Sequence, residues 1–397
     1  MNSETFRLVI LVSCAHAMVH MFEHALPSVE QMIGDEFDVK RDVTGALGTV
    51  WRLPFGWAAM MVGWLTDRWG SKRMLIGYLL GCIATAILAW WAPSLAILFV
   101  VMFLMGTFAS IYHPAGLSLI SHETTSETRG AALGWHGIFG SLGIAAAPFL
   151  AALVFSTGAV NWRQYYLVLT IPAAIIAVML LRLRVRSEEP ARRTSLSSLS
   201  ALSDEPLPWK RFLLLVSAGA LSGFVYSAFL FFLPRYLDQT GLRPENWTDE
   251  SFRNALFTVV LLCAAVGQGI AGRIAAPEKL EKQLALILLA NAPLLFWMAV
   301  AEGEFRLIAA CVLALVHFMN QPIYNSLIAE LVPTSRRSFG YGFSNMICFG
   351  VGAFGPIAVG PIDSEQWVYA TLGGVALCAG LIASLLLRKR PASDPVS

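Results

Sequence analysis

Long apolar runs separated by short polar breaks occupy the chain from end to end. Twelve of these runs are close to the twenty or so residues that a helix needs to cross a bilayer. They are predicted at about 6–29, 43–65, 74–91, 95–120, 130–155, 165–183, 212–236, 252–273, 284–301, 306–328, 340–360 and 367–387. Segment 184–210 is the longest polar interval, and its Ser, Arg and Pro content (TSLSSLSALSDEPLP) reads as a linker. The expected fold is therefore an all-α membrane protein, with twelve transmembrane helices in two pseudo-symmetric six-helix halves. The halves are expected at 1–183 and 211–397, with 184–210 as a cytoplasmic linker.

Internal similarity supports the two halves. A shift of 208 residues aligns Pro114 with Pro322, Ser118-Leu119-Ile120 with Ser326-Leu327-Ile328, and Arg129 with Arg337. The same shift pairs Gly134 with Gly342 and Pro148 with Pro356. Parallel repeats of this kind build transporters whose substrate site lies near the membrane midplane between the halves.

Charge sets the orientation. With the N-terminus inside, cytoplasmic segments hold 20 of the 28 Lys and Arg residues. Outer segments hold seven (Lys40, Arg41, Arg163, Arg235, Arg243, Arg253, Arg306), and Arg52 lies within a span. By the positive-inside rule both termini and the linker face the cytoplasm, which implies a multi-pass protein of the inner (cytoplasmic) membrane. The first apolar run is long and lacks a small-residue cleavage site, so it is expected to be the first span, not a cleaved signal.

Composition narrows the classes. The chain is 56% hydrophobic and only 14% charged, against about 25% charged in an ordinary soluble protein. A net charge of +2 argues against a nucleic-acid partner. Six cysteines stand singly, without C-x-x-C spacing, so neither disulfides nor a thiolate metal site is expected. No ATP-binding loop and no cofactor motif is visible, so an ion gradient is the expected driving force. One polypeptide contains both halves, so a monomer suffices.

A charge inside a bilayer costs several kcal/mol and invites a functional reading. Glu23 and Arg52 are the two strongly charged residues predicted well away from span ends. At 1.5 Å per residue they lie about 9 Å and about 14 Å below the outer ends of spans 1 and 2, within reach of each other. Glu23 reads as a proton-carrying or substrate-binding carboxylate, or as half of an ion pair that only fixes packing. His16, His20, Glu23 and His24 share one helical face, within about a 100° arc. Such a face can relay protons, select an anion, hydrogen-bond across helices, or hold a transition metal between two imidazoles. His113, His136, Tyr226, His317, Asn320, Gln321 and Asn345 also fall inside spans, as candidate substrate contacts or interhelical hydrogen-bond partners. No dedicated metal site is expected.

Between spans 2 and 3 runs Gly63-Trp64-Leu65-Thr66-Asp67-Arg68-Trp69-Gly70-Ser71-Lys72-Arg73. It resembles the signature loop of the major facilitator superfamily of secondary transporters, G-x-L-x-D-R-x-G-x-[KR]-[KR], departing at Ser71. Gly63 is expected to allow close packing and Gly70 a turn. The resemblance covers the whole chain and implies the major facilitator fold, a transporter in place of an enzyme, and alternating access. It also implies a conformational latch on the cytoplasmic side, carried by Gly63, Asp67, Arg68, Gly70 and Arg73.

Gly134, Gly143, Ala147, Pro148, Ala151 and Ala152 fall on the positions of the superfamily's antiporter signature, with three of its glycines replaced by alanine. Helix 1 (His16-x3-His20-x2-Glu23-x2-Leu26-Pro27) and Tyr112-His113-Pro114-Ala115-Gly116 are similar to the fosmidomycin-resistance type of exporter, although span 4 lacks the arginine of many drug–proton antiporters. The resemblance implies proton-coupled efflux of a small organic compound. In that scheme Glu23, Arg52, His20 and His24 handle the proton, while His16, His113, His136 and the second-half polar residues meet the substrate. Uptake or exchange of a small organic anion through Arg52 and the histidines, and metal-ion export by the helix 1 cluster, are the competing readings.

Overall fold

The computed structural model describes residues 1–183, 185, 207–333 and 337–387. Most of the predicted linker, 184 and 186–206, lies outside the described residues. The described chain is helical. In chain order the helices are α1 (Ser3–Phe37), α2 (Arg41–Trp57 and Ala59–Trp69), α3 (Ser71–Trp91), α4 (Leu95–Ala109 and Tyr112–Glu123), α5 (Ser126–Phe155) and α6 (Trp162–Arg182). The second set is α7 (Trp209–Asp238), α8 (Asp249–Ile274), α9 (Leu280–Val300), α10 (Phe305–Phe318 and Asn320–Leu331), α11 (Arg337–Gly352 and Gly355–Val359) and α12 (Glu365–Ser384). Among the described residues eleven of these are long and apolar enough to cross a membrane, and α2, interrupted at Ala58, makes the twelfth.

Helix ends follow local chemistry. Ser94 and Thr248 accept backbone N–H bonds at the starts of α4 and α8, and Asn161 and Gln164 form a reciprocal cap on α6. Three of the four internal breaks sit just ahead of a proline. A proline ring clashes with the carbonyl four residues earlier, and Pro114, Pro322 and Pro356 have Ser110, Phe318 and Gly352 at that position. The chain breaks beside each of them, at Ser110, Met319 and Ala353. The repeat is imperfect here, because α5 runs unbroken through Pro148 while its counterpart α11 breaks at Pro356.

The halves meet principally through α5 on α8, α2 on α11 and α1 on α7, while α4 and α10 pack against helices of their own halves. Helices α3 and α6 pack on each other in the first half, and α9 and α12 in the second. Small residues set the closest approaches. A Cβ on Gly106 of α4 would lie 1.9 Å from the Trp51 carbonyl oxygen of α2, and one on Gly267 of α8 would lie 1.9 Å from that of Leu315 in α10. Gly143 meets the backbone of Ala17, which seats α5 on α1 as its small-residue pattern predicts. Gly134 departs from that pattern and faces open space.

At the end of the bundle away from the termini, the halves are tied by ion pairs. Arg235 of α7 donates twice to Glu30 of α1, at 2.9 and 3.2 Å, and Thr44 donates to the same carboxylate at 2.5 Å. Arg41 donates to Glu365 of α12 at 2.9 Å and lies over the Phe232 ring. Ser251 and Asn254 of α8 donate to the carbonyls of Ala152 and Ser28 at 2.7 and 2.9 Å.

Candidate functional site

The site is built on α1. The predicted face of His16, His20, Glu23 and His24 turns inward, and all four are buried or nearly so. α1 runs eight residues beyond the predicted Val29, to Phe37, which places Glu23 about 21 Å from the helix end in place of the expected 9 Å. It remains level with Arg52. The Arg52 guanidinium donates to Glu23 Oε1 at 2.5 Å, and His20 Nδ1 donates to Oε2 at 2.8 Å. With 2% and 10% of their side chains exposed, Glu23 and Arg52 have little access to water and rely on each other.

Beyond His20 the imidazoles continue. His20 Nε2 lies 3.2 Å from His16 Nε2, and His16 Nδ1 donates to the His136 carbonyl oxygen at 2.8 Å. The His16 ring lies against His136 of α5, at 3.8 Å and 18°, and nearly parallel to Tyr112 of α4, at 5.0 Å and 9°. His113 stands edge-on to His16 at 5.2 Å. Gly140 makes this possible, because a Cβ there would come within 2.4 Å of the His16 ring.

On the other side the chain of contacts crosses to the second half. Arg52 lies 5.3 Å from the Tyr226 ring centroid on α7, and Tyr226 stacks on His317 of α10 at 6.1 Å and 19°. A second polar crossing joins Ser141 of α5 to Gln268 of α8 and Gln268 to Gln321 of α10, each at 2.6 Å. Asn320 donates to Ser222 at 2.9 Å. His24 sits 4.0 Å from Glu23 and stacks on Phe257 of α8. Asn345 is exposed and has no hydrogen bond among the described residues, so it stands apart from the cluster.

Two expectations need correction. Glu30, predicted to lie beyond the first span, is inside α1; Arg253 lies near the start of α8, buried beside Asp238 and Glu250. Glu30 was legible in one respect: it follows Glu23 by seven residues, which returns a helix to nearly the same face. Gly63 packs against nothing within 4 Å, although Gly70 does take the turn, at φ +88°. Asp67, Arg68 and Arg73 are exposed, and the loop's side-chain hydrogen bonds among the described residues stay within the first half. Arg68 lies over Trp64, and Lys72 closes the end of α6 by donating to the carbonyls of Leu181 and Leu183. Tyr112 and Ser141 were missed, since neither carries charge and their importance depends on which helix faces which.

A twelve-helix membrane bundle with a buried polar site between two halves is a secondary-transporter architecture. The model of the Major Facilitator Superfamily matches residues 9–356, and the chain belongs to that family of transporters; it is not an enzyme. Similarity to individual proteins is lower. The puromycin resistance protein pur8 of Streptomyces alboniger is 30% identical over 173 residues, 43% of this chain. That match covers 33% of the relative, so the chain spans about a third of its length. The probable L-galactonate transporter of Escherichia coli K12 is 22% identical over 96% of this chain and 88% of its own. Among solved structures, a point mutant of the nucleoside transporter NupG superposes with a TM-score of 0.76 at 14% identity, covering 97% of this chain and all of that one.

Proposed function

We propose that the protein exports a small organic compound by alternating access, in exchange for protons that bind at Glu23. The observation that carries this reading is the shared carboxylate: Glu23 is held by Arg52 on one oxygen and by His20 on the other, and Arg52 in turn packs on Tyr226 of the opposite half. A proton arriving on Glu23 removes the charge that holds Arg52. That weakens a contact between halves as well as a local ion pair. His20 and His24 tune the exchange. His16, His113, His136, Tyr226, His317, Asn320, Gln321 and Asn345 contact the substrate.

The positive-inside count supports cytoplasmic termini and an inner-membrane location in this reading. The Glu30–Arg235 and Arg41–Glu365 pairs then close the outer face, and they part when substrate leaves. In this reading the units that rock are 1–183 and 211–397, joined by 184–210, and a monomer carries out the cycle. Asp67, Arg68 and Arg73, with Gly63 and Gly70, form the inner latch in the opposite conformation. The puromycin resistance relative supports export.

The test uses purified protein in liposomes with a trapped pH dye, a panel of compounds, and Glu23→Gln. Compound-dependent proton movement in wild type, absent in Glu23→Gln, is expected. Equal proton movement in both would remove Glu23 from coupling. Uptake or exchange of an organic anion is a second reading, favoured by the cationic Arg52 at the centre and by the L-galactonate relative. It predicts that Arg52→Lys weakens anion binding more than Glu23→Gln does.

A further inference from the structure

Two imidazoles meet in α1 with their tautomers already set. His16 Nδ1 faces the carbonyl oxygen of His136 at 2.8 Å, an atom that only accepts, so Nδ1 carries the hydrogen. His20 Nδ1 faces the Glu23 carboxylate at 2.8 Å, and that carboxylate also receives Arg52, so this Nδ1 carries a hydrogen as well. When both rings are neutral, both Nε2 atoms are left with lone pairs, and they face each other across 3.2 Å. Lone pairs at that distance repel unless a cation lies between them.

The spacing fits a metal ion. Two nitrogens bound at about 2.0–2.1 Å and separated by a tetrahedral angle lie about 3.3 Å apart. A third donor is at hand on another helix: ligand atoms of His16, His20 and His113 all lie within 4.8 Å of one another. The orientation of the two α1 rings also fits. Each donates its other nitrogen's hydrogen to a carbonyl or a carboxylate, the outer-shell support that metal-binding histidines have. Glu23 brings negative charge next to the cation.

We propose that His16, His20 and His113 form a three-imidazole site for a divalent transition metal of borderline softness, such as Zn²⁺. An all-nitrogen set selects against Mg²⁺ and Ca²⁺, which take oxygen ligands. His20, with 14% of its side chain exposed, is the ring through which the ion and a fourth ligand arrive. The bound metal joins α1 to α4 and takes the place of any proton shared by His16 and His20. The site shares His20 with the proposed proton exchange and His16 and His113 with the proposed substrate contacts, but its existence does not depend on the direction of transport.

The test is Co²⁺ binding to purified, chelator-washed protein, read by the visible absorption of a four-coordinate ion. One Co²⁺ per chain is expected, displaced by Zn²⁺. Binding should weaken at least about tenfold in His16→Ala, His20→Ala and His113→Ala. The exposed His122→Ala should bind as wild type does. His16→Asn and His20→Asn, which keep a polar side chain, replace any alanine variant that fails to elute as a folded monodisperse species. Absence of Co²⁺ absorption up to millimolar metal, or equal affinity in the His16 and His20 variants, overturns the site and leaves a proton between the rings. Equal affinity in His113→Ala overturns the third ligand. Proton-coupled transport is measured separately with chelator present, so failure of one proposal leaves the other standing.

Discussion

Replacing Arg52 with methionine isolates what the central ion pair contributes. Methionine keeps much of the length of the side chain but removes the guanidinium that sits 2.5 Å from Glu23. Glu23 has 2% of its side chain exposed, so water cannot take over the lost partner. Breaking a buried pair by removing one member costs about 3–5 kcal/mol, mostly because the other charge is left unpaired. Glu23→Gln is expected to cost less, about 1–2 kcal/mol, because a Gln carbonyl oxygen still accepts a bond from Arg52 or His20. Arg52 also keeps its ring contact with Tyr226. The double variant carries no orphaned charge. It should recover much of the Arg52→Met loss, with a coupling energy of about 2 kcal/mol or more. Equilibrium unfolding in mixed micelles, followed by tryptophan fluorescence on all four proteins, gives the cycle. If the two losses simply add, Glu23 and Arg52 do not depend on each other and the argument built on their pairing fails.

Other outcomes follow from packing and backbone geometry. Gly140→Ala places a methyl about where the His16 ring edge now lies, at 2.4 Å, and should cost about 1–3 kcal/mol in the same unfolding assay. Gly106→Ala and Gly267→Ala press against backbone carbonyls at 1.9 Å, which cannot rotate away, and should sharply reduce folded yield on size exclusion. Gly63→Ala and Gly134→Ala, with nothing within 4 Å, should leave yield and thermal stability unchanged. Gly70→Ala should lower stability by about 1–2 kcal/mol, because its φ of +88° is unfavourable for a side chain. Glu30→Gln unties α1 from Arg235. It should raise the reactivity of cysteines introduced on the facing surfaces of α1 and α7 toward a membrane-impermeant thiol reagent.

The site was partly legible. A helical wheel is enough to place His16, His20, Glu23 and His24 on one face, and their polarity in an apolar run marks that face as buried. Arg52 was legible as a partner because its expected depth left it within reach of Glu23, even though the end of α1 was misplaced by eight residues. That misplacement arose because Glu30, Asp35 and Glu36 end the apolar run without ending the helix. The close packing expected at Gly63 is absent for another reason. Glycine is used wherever a backbone comes close, but the chain alone does not say whether anything approaches it.

What the sequence by itself determined is the set of helices and the loop between α2 and α3. These depend on a local rule: a span must satisfy its own backbone hydrogen bonds in lipid. Only the tertiary structure decided that His113 and His136, from two other helices, gather around His16. It alone decided that Arg52 reaches Tyr226 and that Glu30 and Arg235 tie the far end. The reason is that lipid is as apolar as a helix interior, so hydropathy does not say which way a helix faces. That choice is made by contacts such as Gly140 on His16 and Gly143 on Ala17, which exist only once the helices are packed.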